Sequence, residues 1–138
     1  MSSAGATAFT IIKPELVRAA TQLLTGSENV DLVAMGDTFD DRLEKSLATI
    51  RDGAKFPDIQ SKVKVEPDRH CVGFDAYKKI LASDIDIVML CTPPGYRPMH
   101  LEAAIEARRR VFAEKPFGAD PVGVGRFMAA AKKSEQAP

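Results

Sequence analysis

Three short polar segments, each directly after an apolar run, hold the residue types that could do chemistry in this sequence. They are Asp37 after Val30 to Met35, Thr92-Pro93-Pro94 after Ile85 to Cys91, and Glu114-Lys115-Pro116 after Val111 to Ala113. We expect the apolar runs to be buried strands of a parallel sheet. Because ligands bind such sheets at the carboxyl ends of the strands, these segments are the candidate site.

Asp37 is a candidate for contact with the ribose of a dinucleotide. A carboxylate at the end of a strand can accept hydrogen bonds from the adenosine ribose hydroxyls. It would also repel a 2′-phosphate, which favours NAD over NADP. The alternative interpretation is an acid that caps a helix or closes a loop.

The other two segments have different candidate roles. The ring-fixed backbone of Thr92, Pro93 and Pro94 could form a flat wall against a cofactor, or it could be a plain connection from strand to helix. Lys115, between Glu114 and Pro116, can point its ammonium group at a substrate oxygen or at the nicotinamide ribose. That position suits an electrophilic or proton-donating role. The alternative is a surface loop with an ion pair.

Histidine and cysteine residues add one further candidate. His100 follows Pro98 closely and lies within reach of the same edge, although a single histidine can equally serve as a cap or packing residue. His70 and Cys71 are adjacent, so in an extended segment they point to opposite faces and make a poor catalytic dyad. We interpret Cys71 and Cys91 as structural thiols.

Composition excludes several functional classes. Nineteen Lys and Arg residues balance nineteen Asp and Glu residues, which predicts no nucleic-acid or anionic-membrane partner. No apolar run approaches the roughly 18 to 20 residues that span a bilayer, and we expect a cytoplasmic protein. The length of 138 residues predicts one domain over residues 1–138. We predict no metal site.

Helical patterns alternate with the predicted strands, which predicts βαβ units and a doubly wound, three-layer α/β domain. Val63 to Val65 is a weaker fourth strand candidate. The predicted helices are a first one opened by Pro14, a second behind Asp40-Asp41, a short one over Asp75 to Ala82, one behind Pro98 and a last one opened by Pro121.

The motifs together resemble those of the glucose-fructose oxidoreductase and inositol dehydrogenase family (Gfo/Idh/MocA). The resemblance runs from about Pro14 to the end of the chain, and the combination of Thr92-Pro93-Pro94 with Glu114-Lys115-Pro116 is its most specific part. It implies a Rossmann domain that binds NAD or NADP. By this resemblance, Asp37 meets the ribose, the Thr-Pro-Pro turn contacts the cofactor, and Lys115 contacts the substrate or the nicotinamide ribose.

The chain departs from the family pattern where a strand should run into G-x-G-x-x-G. Ser3 to Ala8 could be the worn end of that loop, with the first strand missing. Alternatively, Ala6 to Ile12 is itself the central strand, and then Lys13 alone separates it from the helix at Pro14. Under either interpretation we expect impaired binding of the pyrophosphate. Losing the central strand would split the sheet and favour dimerisation.

Two further departures concern the later part of the chain. Arg108 stands where the family has a glycine after the helix, so we expect an arginine in a left-handed conformation. Arg108 to Arg110 could form a phosphate-binding patch, but we favour a solvated helix end. The resemblance also implies a second, substrate-binding domain, which we do not expect 138 residues to supply in addition to the Rossmann domain.

The leading hypothesis is the NAD-binding domain of an oxidoreductase acting on a sugar or polyol, truncated or separately encoded and not competent for turnover alone. Its partners would be the cofactor and a second copy or another chain. The alternative is a non-catalytic module that has lost cofactor binding and acts by pairing with a protein.

Overall fold

Five parallel strands and five α-helices alternate along the chain in this computed structural model. It describes residues 5–11 and 15–136, with side chains from residue 17 onward. The strands are β1 Gly5–Ile11, β2 Val30–Asp37, β3 His70–Val72, β4 Ile87–Cys91 and β5 Arg110–Ala113. The helices are α1 Glu15–Gly26, α2 Asp40–Ile50, α3 Ala76–Ala82, α4 Arg97–Glu106 and α5 Pro121–Ser134. The strands form one sheet in the order β3-β2-β1-β4-β5, which confirms the doubly wound α/β prediction.

The helices begin where the sequence provides a start signal. α2 begins with Asp40 and Asp41, whose charges suit the positive end of the helix dipole. α5 begins with Pro121 after Asp120, whose side chain accepts a hydrogen bond of 2.7 Å from the backbone N–H of Gly123. This cap satisfies one of the first N–H groups of α5, which have no partner within the helix.

Two apolar cores lie on opposite faces of the sheet. Leu24 of α1 and Leu47 of α2 pack on one face together with Met89 of β4. Ile80 of α3 and Leu101 of α4 pack on the other face with Val88, Leu90 and Phe127. Successive residues of β4 point to alternate faces, so the strands are covered on both sides and the domain has three layers.

Strand β1 occupies the centre of the sheet, between β2 and β4. Ala8 pairs with Ala34 of β2 and with Val88 of β4. Of the two interpretations of the N-terminal stretch, the structure therefore favours the one with a central strand. Gly5 to Ala8 lie in this strand rather than in a phosphate-binding loop. Residues 1–4 and 12–14 lie outside the described residues.

The prediction of a strand over Val63 to Val65 is wrong. Only a single bridge joins Val63 to Leu32, and short 3-10 helices stand on both sides, at Pro57–Lys62 and Pro67–Arg69. Pro67 has no N–H to donate, which stops a ladder from continuing. The edge strand β3 forms a few residues later, at His70–Val72.

The turn between α4 and β5 has the strained backbone that the sequence predicts. Arg108 has a φ of 56°, in the left-handed region. The neighbouring Arg109 donates hydrogen bonds to the carbonyl oxygens of Ile85 at 2.7 Å and Ser83 at 3.1 Å. Arg109 thus ties this turn to the segment that follows α3, so it is not part of a solvated helix end or a phosphate patch.

Within residues 5–11 and 15–136, no helix has both the length and the apolar character that crossing a bilayer requires.

Candidate functional site

The three predicted polar segments lie at the carboxyl edge of the same sheet. Asp37 is the last residue of β2, Thr92 follows β4 and Glu114 follows β5. Two strands, β1 and β4, stand between β2 and β5. With neighbouring strands about 4.8 Å apart, the ends of β2 and β5 are separated by about 14 Å.

Asp37 is buried, with 2% of its surface exposed. Its Oδ1 accepts a hydrogen bond of 2.9 Å from the backbone N–H of Phe39. Burial raises the pKa of the carboxyl group, and the Phe39 N–H and the Arg42 guanidinium partly oppose that rise. The acid is therefore held in place by the backbone of the loop that follows it.

Gly36 lets this end of β2 lie close to α3. A Cβ atom at Gly36 would stand 2.6 Å from Cδ1 of Ile80 and 3.3 Å from Cβ of Ala76. Both neighbours are buried, so a side chain at this position would push α3 away from the strand.

Thr92 and His100 form a buried polar pair behind the Thr-Pro-Pro turn. Nδ1 of His100 lies 3.2 Å from Oγ1 of Thr92, and the His100 ring packs against Tyr77 with 4.3 Å between ring centroids. Burial lowers the pKa of His100 to about 4. The imidazole is thus neutral at physiological pH and ties α4 to the end of β4.

Arg97 holds the Glu-Lys-Pro segment in position. Its guanidinium is buried in the first turn of α4 and donates hydrogen bonds to the carbonyl oxygens of Glu114 and Pro116. The backbone N–H of Glu114 also donates to the carbonyl of Leu90 at 3.0 Å, which continues the ladder beyond β5. The peptide bond between Lys115 and Pro116 is cis.

A cleft of about 560 Å³ opens between the start of α1 and the ends of β4 and β5. It lies where the strand order reverses, between β1 and β4, which is the usual binding position in doubly wound sheets. Its lining residues come from both sides of this crevice: Arg18, Ala19, Gln22, Cys91, Pro94, Arg97, Glu114, Lys115 and Pro116.

The structure brings some of the predicted site residues together and leaves others apart. Pro94, Glu114, Lys115 and Pro116 all line the cleft, whereas Asp37 lies farther along the same edge. Thr92 and His100 are buried behind the turn, and Pro93 is half-buried within it. The cofactor contacts predicted for these residues stay predictions.

Sequence reasoning missed Arg18, Gln22 and Arg97. A signal for Arg97 was present, because a cation in the first turn of a helix opposes the dipole and needs a tertiary partner. Arg18 is exposed one turn into α1 and gave no such signal.

The residues at this edge fit a dinucleotide at its two ends better than in its middle. Buried Asp37 offers an acceptor for a ribose hydroxyl, and Lys115 offers a donor at the cleft. The connection from β1 to α1 reads Ile12-Lys13-Pro14 and contains no glycine, so the usual backbone cradle for a pyrophosphate is not encoded there. Arg18 of α1 is one of the cations that line the cleft.

Comparisons with known proteins support this picture. Residues 19–137 match the family model described as an oxidoreductase family with an NAD-binding Rossmann fold. No curated protein sequence matches the chain significantly.

Among solved structures, the chain is similar to scyllo-inositol dehydrogenase from Lactobacillus casei with bound NAD(H) and scyllo-inositol, with a TM-score of 0.70 and 20% identity over 96% of this chain and 34% of that one. It is similar to myo-inositol 2-dehydrogenase from Lactobacillus plantarum, with a TM-score of 0.68 and 21% identity over 94% and 33% of the two chains. It also resembles KijD10, a 3-ketoreductase from Actinomadura kijaniata in complex with NADP, with a TM-score of 0.62 and 20% identity over 94% and 36%. The chain thus spans about a third of the length of each of these structures.

Proposed function

Because the chain belongs to the Gfo/Idh/MocA oxidoreductase family with its NAD-binding Rossmann fold, we propose that it binds NAD across the carboxyl edge of its sheet. The cleft at the reversal of strand order carries this proposal, since it has Lys115 on its lip and Asp37 farther along the same edge. The distance of about 14 Å between the ends of β2 and β5 suits an extended dinucleotide.

Asp37 binds the adenosine ribose in this proposal. One of its oxygens is held by the Phe39 N–H at 2.9 Å, which fixes the orientation of the carboxylate. A fixed acceptor loses little side-chain entropy when a ligand binds. The same negative charge disfavours a 2′-phosphate, so NAD is the expected cofactor. A 2′-phosphate would need a cation beside it to offset this repulsion. Arg42 is the nearby candidate, but its guanidinium stacks on Phe39, with 4.9 Å between its central carbon and the ring centroid.

Arg18 and Lys115 supply the positive charge that the missing glycine loop does not. Both line the cleft between α1 and the end of β5. A side-chain cation attracts a pyrophosphate without the array of backbone N–H donors that a glycine-rich loop offers. We therefore expect binding that is weaker than in a domain with the full loop and more sensitive to salt.

Lys115 orients the reactive end of the cofactor or a substrate oxygen. Its backbone is fixed by the hydrogen bonds from Arg97 to the carbonyls on either side, at Glu114 and Pro116. When bound, NAD accepts a hydride from an alcohol carbon. Lys115 would hold the hydroxyl oxygen or the nicotinamide ribose by an N–H donor. The substrate, a sugar or polyol by family membership, needs a further protein surface to hold it against the cofactor.

Calorimetric titration with NAD tests the proposal. We expect saturable binding with a Kd of about 100 µM, and the Asp37→Asn substitution should raise this Kd about tenfold. Asp40→Asn is the matched control, because Asp40 is exposed a few residues away and should leave the affinity unchanged. Lys115→Met should weaken binding as well. Polyols added with NAD to the chain alone should not produce NADH.

A non-catalytic module is the second candidate, and the glycine-free connection from β1 to α1 favours it. In that case titration with NAD gives no heat of binding for the wild type or for the Asp37→Asn variant. Equal affinity of the wild type and the Asp37→Asn variant would also contradict the ribose contact.

A further inference from the structure

A cation–π pair, formed by Phe39 and Arg42, stands directly after Asp37 at the end of β2. The central carbon of the Arg42 guanidinium lies 4.9 Å from the centroid of the Phe39 ring. Phe39 is 50% exposed and Arg42 is exposed as well. A cation–π contact at the surface contributes only modestly to stability, so the pair is more informative about the neighbouring acid than about the core.

The backbone of Phe39 is fixed from both sides. Its N–H donates to Oδ1 of Asp37 at 2.9 Å, and its carbonyl oxygen accepts a hydrogen bond of 3.1 Å from the N–H of Leu43. Leu43 is fully buried on the inner side of α2. The aromatic ring is therefore attached to a backbone whose position is set by the acid on one side and by the core on the other.

Arg42 is placed where a cation does not help its own helix. It lies in the first turn of α2, whose positive dipole end repels a guanidinium. Burial raises the pKa of Asp37, and the charge of Arg42 is among the influences that lower it, so the guanidinium is within electrostatic reach of the carboxylate. The ion pairs among the described residues nevertheless do not include Arg42. The Phe39 ring thus holds a cation that has no counter-ion in this part of the chain.

We propose that Phe39 is a specificity-determining residue, which favours NAD over NADP by keeping Arg42 stacked on its ring. This inference rests on the proposed contact of Asp37 with the adenosine ribose. A 2′-phosphate on that ribose would need a cation beside Asp37, and the guanidinium fork of an arginine suits a phosphate best because it can donate two hydrogen bonds. Arg42 can reach the phosphate only by giving up its contact with Phe39. Selection against NADP therefore has two parts: Asp37 repels the phosphate, and Phe39 withholds the cation that would offset this repulsion.

Calorimetric titration with NAD and, separately, with NADP tests the role of Phe39. The quantity to compare is the ratio of the NADP Kd to the NAD Kd, because an effect of the ring on both cofactors cancels in this ratio. Phe39→Ala removes the ring and frees Arg42, so the ratio should fall about two- to fivefold, the range that a surface cation–π contact supplies. Phe39→Tyr keeps an aromatic face for the guanidinium and should retain the ratio of the wild type.

A double-mutant cycle tests whether Phe39 acts through Arg42. Arg42→Met should raise the ratio about two- to fivefold more in the Phe39→Ala background than in the wild type, since the wild-type ring already restrains the guanidinium. Phe74→Ala is the matched control. Phe74 is an exposed aromatic residue, 72% exposed after β3, and its removal should leave the ratio unchanged.

The outcomes separate this inference from the proposed function. Binding of NAD with a ratio that Phe39→Ala does not lower would overturn the role of Phe39 and leave the proposed function standing. The role of Phe39 would also be overturned by a fall in the ratio that Phe39→Tyr or Phe74→Ala reproduces, or by equal effects of Arg42→Met in the two backgrounds. A wild type that binds neither cofactor would overturn the proposed function and this inference together.

Discussion

The two sides of the carboxyl edge are constructed in different ways. At the end of β2, the backbone N–H of Phe39 fixes Asp37, and the tight contact of Gly36 with α3 sets its position. At the ends of β4 and β5, buried polar side chains hold the connecting segments in place. They are Arg97 and the pair of Thr92 and His100. A contact made by a side chain is lost when that residue is substituted. We therefore expect substitutions on the β4–β5 side to lower the stability of the domain more than substitutions on the β2 side.

The two sides also differ in how protonation affects them. His100 is buried in neutral form, and its pKa is lowered to about 4. Asp37 is also buried, and burial raises the pKa of its carboxyl group. Acidification therefore acts against the fold on the β4–β5 side and in its favour on the β2 side.

Arg97→Met should have the largest effect. It removes the hydrogen bonds that the buried Arg97 side chain donates to the part-buried carbonyls of Glu114 and Pro116, and carbonyls that lose a partner where water has limited access are costly. We expect the free energy of unfolding in urea to fall by about 3 kcal/mol. Arg126→Met is the control, because that exposed pair with Glu102 should contribute less than about 1 kcal/mol. Equal effects of the two variants would contradict the difference between buried and exposed arginines.

His100 should make the stability of the domain depend on pH. Its pKa is 6.5 unperturbed and about 4 in the fold, so the unfolded chain binds the proton more readily. The stability is full above pH 6.5 and should decrease by about 3 kcal/mol as the pH falls to about 4. Urea unfolding at several pH values measures this decrease. His100→Asn should flatten the profile, and an unchanged profile would show that another group is responsible.

The sequence predicted the carboxyl edge well because strand ends are encoded locally. Apolar runs followed by Asp37, Thr92 and Glu114 sufficed to place all three positions at one edge. What it could not predict depends on contacts between distant segments. The hydrogen bonds from Arg97 to Glu114 and Pro116 join residues far apart in sequence, and no local pattern encodes such a pairing.

The third strand shows the opposite failure, in which a local pattern misled. Val63 to Val65 has β-branched residues, but the 3-10 helices on both sides of it leave only a single bridge to β2. His70–Val72 lacks a clear apolar run and still pairs with β2. Tertiary pairing decided between two weak candidates, since strand propensity depends strongly on context.

Arg108→Gly should have a smaller effect than the Arg97 and His100 changes, and of the opposite sign to Arg97→Met. Arg108 has a φ of 56°, a conformation that glycine adopts without the steric cost of a Cβ atom. We expect stabilisation by up to about 1 kcal/mol, reduced by the greater entropy of glycine in the unfolded chain. Thermal unfolding measures the change. Arg110→Gly, in the adjacent strand, is the control and should destabilise; stabilisation by both would point to relief of charge repulsion instead.

Asp37→Asn should have the smallest effect on stability, although it changes the binding residue on the β2 side. Because burial raises the pKa of Asp37, the folded chain holds this proton more tightly than the unfolded chain does. The contribution of Asp37 to stability is therefore greatest at acid pH and decreases as the pH rises above 3.8, the value for an unperturbed acid. Asparagine keeps an acceptor for the Phe39 N–H and does not ionise. Relative to the wild type, the variant should gain stability as the pH is raised from 4 to 7. Its affinity for NAD should be lower than that of the wild type. If it instead loses as much stability at neutral pH as Arg97→Met does, the ionised acid is a structural group and the two sides of the edge are built alike.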